Sequence, residues 1–365
     1  MNNYNKDFQY IKIKDGKNSR KFDLSDPVER KRYFQKKAGR EIKLLNQFFK
    51  NNTFIAYFLG KKNAGKGTYT KLMMEIFGED KIGHISVGDI IRTVHQDMSN
   101  EGRKKNLLGY LKKNYRGYIS IEGSIDALLN RDTKSLLPTE FILILLKREI
   151  DKLKKKTLFV DGFPRDLNQV SYSLFFRDLI NYRDDPDIFI AIDVPESIIN
   201  ARMKSRVVCP VCHAPRSLQL LPTKEVEYDE KQDKLYLICD NPKCKKARMV
   251  EKEGDELGIE AVRGRLKSDE ELIKKVFLLH GFPKILVRNS IPVDIARRYV
   301  DDYEITPAYS YQINPKTKKI RRIEGPWIVK DDEGKEVCSL LAPAVIVTLI
   351  KQLPMAIGLD NKKGK

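Results

Sequence analysis

No apolar run in this 365-residue chain is long enough to cross a bilayer as a helix, and its start, Met1-Asn2-Asn3-Tyr4-Asn5-Lys6, lacks the apolar stretch of a secretory leader. These absences argue against a helical membrane span and lead us to expect a cytoplasmic protein. Cysteine is scarce as well. Four of the five form two close pairs, Cys209 with Cys212 and Cys239 with Cys244. In a cytosolic setting such usage argues for metal binding and against a disulfide framework. Cys338 stands alone in an apolar stretch and reads as a packing residue. Also missing is any motif with aromatics interleaved among basic residues of the kind that grips RNA. The net charge of +19 is dispersed along the chain and reads as a lysine-rich solvated surface, so nucleic acid is not expected as a main partner.

The chain does have enough apolar residues, 41%, to build a sizeable core around its 33% of charged residues. Its most informative stretch begins with the apolar run Phe54 to Leu59, continues as Gly60-Lys61-Lys62-Asn63-Ala64-Gly65-Lys66-Gly67-Thr68, and passes into helical spacing. A strand feeding a glycine loop of the form G-x-x-x-x-G-K and then a helix is a phosphate cradle. Glycine lets backbone N–H groups close around phosphate oxygens, and the helix presents its positive N-terminus to them. Lys66 is the residue to reach the outer phosphates, and the hydroxyl arrives one position late, on Thr68.

Before this loop, residues 1–52 form an extension. Ser25-Asp26-Pro27-Val28-Glu29 marks a helix start, and Val28 to Phe49 reads as one basic amphipathic helix with Tyr33, Phe34, Ala38, Ile42, Leu45 and Phe48 as its apolar stripe. After the loop, a short strand runs into Ser86-Val87-Gly88-Asp89, with Arg92 in the first turns of the next helix. Asp89 could order a magnesium-bound water, and Arg92 could hold a second phosphate-bearing substrate. The stretch Met98 to Lys134 is polar, with glycine and lysine scattered through it. Ser135-Leu136-Leu137-Pro138-Thr139-Glu140 then starts an apolar helix, Phe141 to Ile150.

Two further apolar strands each close on an aspartate: Thr157 to Val160 on Asp161, and Asp187 to Ile192 on Asp193. A buried parallel strand delivers a carboxylate to the edge of a nucleotide site in this way. Asp161 could hold magnesium through water. Arg165, beyond the turn Gly162-Phe163-Pro164, could neutralise a transferring phosphoryl group, and Gln169 could read a base edge. On a helix starting at Glu196, Arg202 and Arg206 lie four apart and would share a face. Cys209, Cys212, Cys239 and Cys244 fit a tetrahedral tetrathiolate zinc site, structural because no coordination position stays open, in a small β-rich lobe. His213 is a lesser candidate ligand, and a nucleic-acid-binding zinc ribbon is the competing reading of the lobe. Arg263 and Arg265, at the head of a later helix, splay to different sides and could touch different phosphates. Gly281-Phe282-Pro283-Lys284 echoes the earlier turn without an aspartate before it. Further on, Trp327-Ile328-Val329 reads as a strand, residues 331–335 as a turn, and Ala342 to Leu353 as a closing helix.

In their order, the loop Gly60 to Thr68, Ser86 to Arg92, Asp161 to Gln169, Asp193 to Arg206, the cysteine lobe and Val262-Arg263-Gly264-Arg265-Leu266 resemble the adenylate kinase family of nucleoside monophosphate kinases, over roughly residues 53–270. The resemblance implies an α/β fold with a parallel-sheet core, helices on both faces, a monophosphate-binding segment inserted at 86–138 and a zinc lid at 207–259 within a core of 53–365. It also implies reversible phosphoryl transfer from Mg-ATP to AMP. Gly60, Asn63, Ala64, Gly65, Lys66, Gly67, Thr68 and Arg202 would then hold ATP. Ser86, Val87, Gly88, Arg92, Leu137, Gly162, Arg165 and Gln169 would hold AMP. Lys66, Arg92, Arg165, Arg206, Arg263 and Arg265 would surround the phosphates, with Asp89 and Asp161 on magnesium's waters. A further lid arginine that the resemblance implies is not in place, and Lys252 or Arg248 would substitute for it. The expected cofactors are magnesium and structural zinc, and the expected form is a monomer. A kinase for UMP or CMP and a basic RNA-associated ATPase with a zinc ribbon are the alternatives.

Overall fold

Every second residue of the first apolar run faces a different core, which is why the run shows no polar alternation. Phe54, Ala56 and Phe58 pack into one apolar cluster, and Ile55, Tyr57 and Leu59 into another. A strand buried on both faces belongs in the middle of a parallel sheet. The computed structural model, which describes residues 9–16, 20–130, 137–153, 155–174, 185–212, 214–252, 255 and 257–359, places it there. Ser135, Leu136, His213 and the ends Met1–Lys6 and Asn361–Lys365 lie outside the described residues.

In chain order the elements begin with α1 (Pro27–Phe48), β1 (Ile55–Gly60), α2 (Lys66–Phe77) and β2 (Ile82–Ser86). Helices α3 (Val87–Met98), α4 (Glu101–Asn114), α5 (Ile121–Leu129) and α6 (Thr139–Asp151) precede β3 (Thr157–Asp161), α7 (Leu167–Leu174), β4 (Asp187–Asp193) and α8 (Glu196–Lys204). A small lobe holds β5 (Arg206–Val208), β6 (Pro215–Ser217), β7 (Val226–Asp229), β8 (Lys234–Leu237) and β9 (Val250–Glu251). Then come α9 (Arg263–Phe277), β10 (Lys284–Arg288), β11 (Ser290–Pro292), α10 (Val293–Tyr299), β12 (Pro307–Ile313), β13 (Ile320–Pro326), β14 (Ile328–Lys330), β15 (Glu336–Ser339) and α11 (Ala342–Ala356). The main sheet is wholly parallel in the order β10-β4-β1-β3-β2. The chain steps from β1 to one side and later returns to the other. Such a reversal leaves a crevice at the carboxyl ends of the strands.

The polar stretch after Met98 holds two capped helices. Asn100 and Ser120 accept from Arg103 N and Gly123 N at 3.1 and 3.0 Å. Narrow stripes are buried, Leu107 and Leu111 on α4 and Ser124, Ile125 and Leu128 on α5.

The start of α1 is built as its sequence directs: Asp26 accepts from Val28 N and Glu29 N, with Pro27 in the first turn. The helix is not continuous, because Ala38, beside Gly39, breaks it with φ −144°. Its apolar face packs on α11, which is apolar almost all round and lies on the same side of the sheet as α2. A buried ionic knot ties α1 to the chain beyond α10. Tyr33 donates to Glu304 at 2.6 Å, and Lys37 donates to Asp301 at 2.6 Å and to the Ile13 carbonyl at 2.7 Å. Glu304 has no exposed surface, and burial raises its carboxyl above the ordinary range although Tyr33, the Asp301 N–H and Lys37 pull it down. Removing one partner of such a set strands the others. Lys37→Met is expected to cost about 3–5 kcal/mol of stability in denaturant unfolding, and Tyr33→Phe about 1.5–3 kcal/mol, because the bond it removes goes to a buried carboxylate. Equal losses from the two substitutions would show that the knot is not ionic in its energetics.

Candidate active site

Between β1 and α2 the loop Gly60 to Thr68 turns tightly at the carboxyl edge of the sheet. Asn63 and Gly65 take positive φ, 66° and 98°, and a Cβ on Gly65 would also meet the Tyr69 ring at 3.1 Å. At Gly60 the constraint is a neighbouring strand: a Cβ there would lie 3.3 Å from Ile192. At Gly67 it would meet nothing, which leaves room over the first turn of α2. That turn carries no acidic side chain, so its N-terminus is free to attract an anion. Lys66 Nζ donates to the carbonyls of Gly60 and Lys61 at 2.8 and 3.2 Å and lies 3.7 Å from Asp161.

Asp161 ends β3 beside Ser86 of β2 and Phe58 of β1. Gly162 follows with φ 84°. Arg165 is fixed at both ends, its Nε donating to Gly162 O at 2.9 Å and its backbone N to Gln169 Oε1 at 2.8 Å. The buried Gln169 is thereby engaged in shaping the turn. On the facing side Ser86 caps α3. Val87 is buried against Gly162, Gly88 lies under Arg92, and Leu137 is in the core. Arg92 pairs with Asp89, and both are exposed.

The second group of arginines departs from its expected arrangement. Helix α8 stops at Lys204, where the Ser205 hydroxyl bonds back to Ala201 O at 2.7 Å. Val207 and Val208 then pair with β6 and β9. Arg206 is therefore the first residue of a strand and does not share a helix face with Arg202. Its guanidinium grips Asp255 and donates to Asn63 Oδ1 at 3.2 Å, bringing the lobe onto the loop. Arg202 points elsewhere, donating to Asn289 Oδ1 at 2.9 Å and Ser339 Oγ at 3.2 Å. Burial holds it below the usual arginine range. Arg263 pairs with Glu260 at the surface, whereas Arg265 is among the charges around Lys62. Burial first, then Arg265, Lys252 and Arg206, hold the Lys62 ammonium below its ordinary range. Lys252 thus borders the site. Arg248 instead stacks 3.9 Å over the Tyr236 ring and pairs with Asp229.

One residue absent from the sequence expectations sits among these cations. Asp269 of α9 is buried enough to push its carboxyl upward, although Lys66, Arg265 and Arg165 pull it down and the Lys62 N–H bonds to it. Among the described residues its Oδ2 has no hydrogen-bond partner, and Arg265 Nε lies 4.0 Å from it. Lying in the run Asp269-Glu270-Glu271, it looks in sequence like part of a solvated face; only the four-residue spacing from Arg265 hints otherwise. Lys66, Asp161, Asp269, Arg165, Arg265, Arg206 and Asn63 are thus gathered at one edge of the sheet. The described structure does not draw Arg92, Arg202 and Arg263 into that group.

In the lobe, the Sγ atoms of Cys209, Cys212, Cys239 and Cys244 all lie within 4.8 Å of one another and could hold a metal ion. The 3.7 Å between Cys212 and Cys239 matches the edge of a tetrahedron with zinc–sulfur bonds of about 2.3 Å. Burial works to raise the Cys209 thiol, but N–H groups of Cys212 and Val211 and the nearby thiols outweigh it and bring it to about 6. The tyrosines here serve the β7–β8 hairpin: Tyr228 donates to Asp233 at 2.6 Å. Cys338, as expected of a packing residue, is buried. Among the described residues, no helix is long and apolar enough to cross a membrane.

Comparison with protein-family models finds no match. Individual proteins do match. The chain is 31% identical over 211 residues to an adenylate kinase of Thermotoga petrophila, covering 58% of this chain and 77% of that protein. It is 30% identical over 232 residues to one of Thermotoga neapolitana, covering 63% and 87%. With an adenylate kinase of Clostridium acetobutylicum it shares 34% over 167 residues, 46% of this chain and 65% of that protein.

Proposed function

The chain belongs to the adenylate kinase family and is a nucleoside monophosphate kinase, and we propose that its reaction is ATP + AMP to two ADP. The observation that carries this reading is the convergence of Lys66, Arg165, Arg265 and Arg206 on the loop from Gly60 to Thr68. Phosphoryl transfer asks for positioning and charge neutralisation more than for covalent chemistry. Such a set supplies both.

In this reading the loop N–H groups and the α2 N-terminus hold the donor phosphates, and Lys66 turns from its own loop carbonyls to the outer phosphate oxygens. Arg165, pre-set by Gly162 and Gln169, neutralises charge on the group in transit. Arg206 and Arg265 approach from the lid side, with Arg263 joining from the edge. Arg202, anchored by Asn289 and Ser339, serves the adenine end of ATP. The acceptor lies against Ser86, Val87, Gly88, Leu137, Gly162 and Gln169, its phosphate held by Arg92. Magnesium bound with the nucleotide would offset negative charge between the outer phosphates. The carboxylate of Asp161, 3.7 Å from Lys66, suits its water shell, with Asp89 on the acceptor side. The segments 86–138 and 207–259 act as the moving parts. Their closure excludes water that would otherwise intercept the phosphoryl group.

A coupled assay of ATP against AMP, GMP, CMP and UMP tests the proposal. AMP is expected to exceed each of the others in kcat/KM by at least about tenfold, the scale of discrimination a few base contacts provide. Preference for UMP or CMP would remove the AMP assignment. Failure with every monophosphate, joined to RNA-stimulated ATP hydrolysis, would favour the RNA-associated ATPase instead.

A further inference from the structure

The first side chain of the phosphate loop points away from the cradle. Lys61 is buried, and its Nζ donates at 2.8 Å to Oδ2 of Asp332, 271 residues further along the chain. The other Asp332 oxygen accepts from Glu196 N, at the head of α8, at 2.7 Å. Ser197 Oγ beside it donates to Lys330 O at 2.6 Å. The turn presenting Asp332 is itself braced. Asp331 accepts from Glu333 N and Lys335 N at 2.9 and 2.8 Å, and Gly334 closes the turn with φ 83°. Glu196 and Glu270 lie farther from the ammonium, at 3.7 and 4.0 Å. Burial alone would lower Lys61, but the bond to Asp332 and the three carboxylates reverse this and hold it above the ordinary lysine range.

We propose that Asp332, on the β14–β15 turn, is a positioning residue for the donor-phosphate loop, acting through Lys61. The Lys61 carbonyl accepts from Ala64 N at 3.1 Å and from Lys66 Nζ at 3.2 Å. One residue therefore carries both the anchor and a contact to the phosphate-seeking lysine. With Asp332 neutralised, Lys61 shifts toward Glu196 and Glu270 and takes the loop's first turn with it. The loop meets donor phosphates in the ground state and the transition state alike, so its displacement weakens both equally. That pattern raises KM and leaves kcat nearly unchanged. A turn far along the chain thereby sets the affinity for the donor nucleotide.

The inference rests on the reading of Gly60 to Thr68 as the donor cradle, and the experiment separates the two. Asp332→Asn is expected to raise KM for ATP roughly five- to tenfold, with kcat and KM for the monophosphate within about twofold. Asp332→Glu keeps the charge and is expected to return KM most of the way. The side chain of Asp332 is 45% exposed, so these variants are expected to fold, which melting curves check. Lys61→Met combined with Asp332→Asn is expected to raise KM no further than the larger single effect. A KM for ATP that is unchanged in Asp332→Asn overturns the proposal, as does an equal rise in both substrates' KM values. In the same assay Lys66→Ala reports on the cradle: unimpaired ATP turnover there would remove that reading, whatever Asp332 does.

Discussion

Replacing Arg165 by alanine is expected to lower kcat roughly a thousandfold while ATP affinity changes by no more than about threefold. The expectation comes from how the side chain is held. Its Nε is fixed by Gly162 O and its backbone N by Gln169 Oε1, in a turn that Gly162 enters with positive φ. A guanidinium set in place beforehand needs little reorganisation when charge moves across the transferring group, and its benefit is concentrated in the transition state. Lysine should not restore the activity, because a point charge lacks the planar fork that bridges two phosphoryl oxygens. Steady-state kinetics in both directions, with ATP binding measured separately, decide the matter. Equal losses in turnover and affinity would place Arg165 in ground-state binding.

The second large effect is expected at the cysteine lobe. Purified chain should carry about one zinc per molecule, and Cys239→Ser or a strong chelator should remove it. The lobe's apolar cluster is small, adding little beyond Leu237 and Met249 to the cysteines, so the lobe is expected to unfold on metal loss and become open to proteases. Activity should fall roughly a hundredfold with it, because Arg206 stands three residues before Cys209 and leaves the loop when β5 dissolves. Arg206→Ala separates the two roles: it should reproduce the loss of activity while zinc stays bound. Metal analysis showing no zinc, with the lobe still protease-resistant, would end the structural-zinc reading.

Much of the core could be read directly because its signals are local. β1, β3 and β4 are short apolar runs bounded by turn residues, and their burial on both faces follows from that pattern. Other features were hidden for physical reasons. Helix α4 buries so narrow a stripe that polar residues dominate its composition, and α5 is a short helix in the same polar stretch. The end of α8 has no glycine or proline to announce it; a serine back-bond and two valines redirect Arg206 instead. Asp269 is concealed by its acidic neighbours. The Lys61–Asp332 pair joins positions that no local pattern relates.

The place of α11 in the core also bears on how the molecule comes into being. It follows every other described element in the chain, yet it packs against α1, the first, as well as α2 and β10. During synthesis from the N-terminus, the sheet face under α2 stays partly bare until Ala342–Ala356 has left the ribosome. Helix α2, with the loop Gly60 to Thr68 at its head, therefore has only part of its support in a nascent chain, from α1, β2 and β3. Long-range closure of this kind is slow and leaves apolar surface open to mispairing. A nucleotide arriving before α11 docks would meet a loop with incomplete backing, so full binding competence is expected only once Ala342–Ala356 is in place.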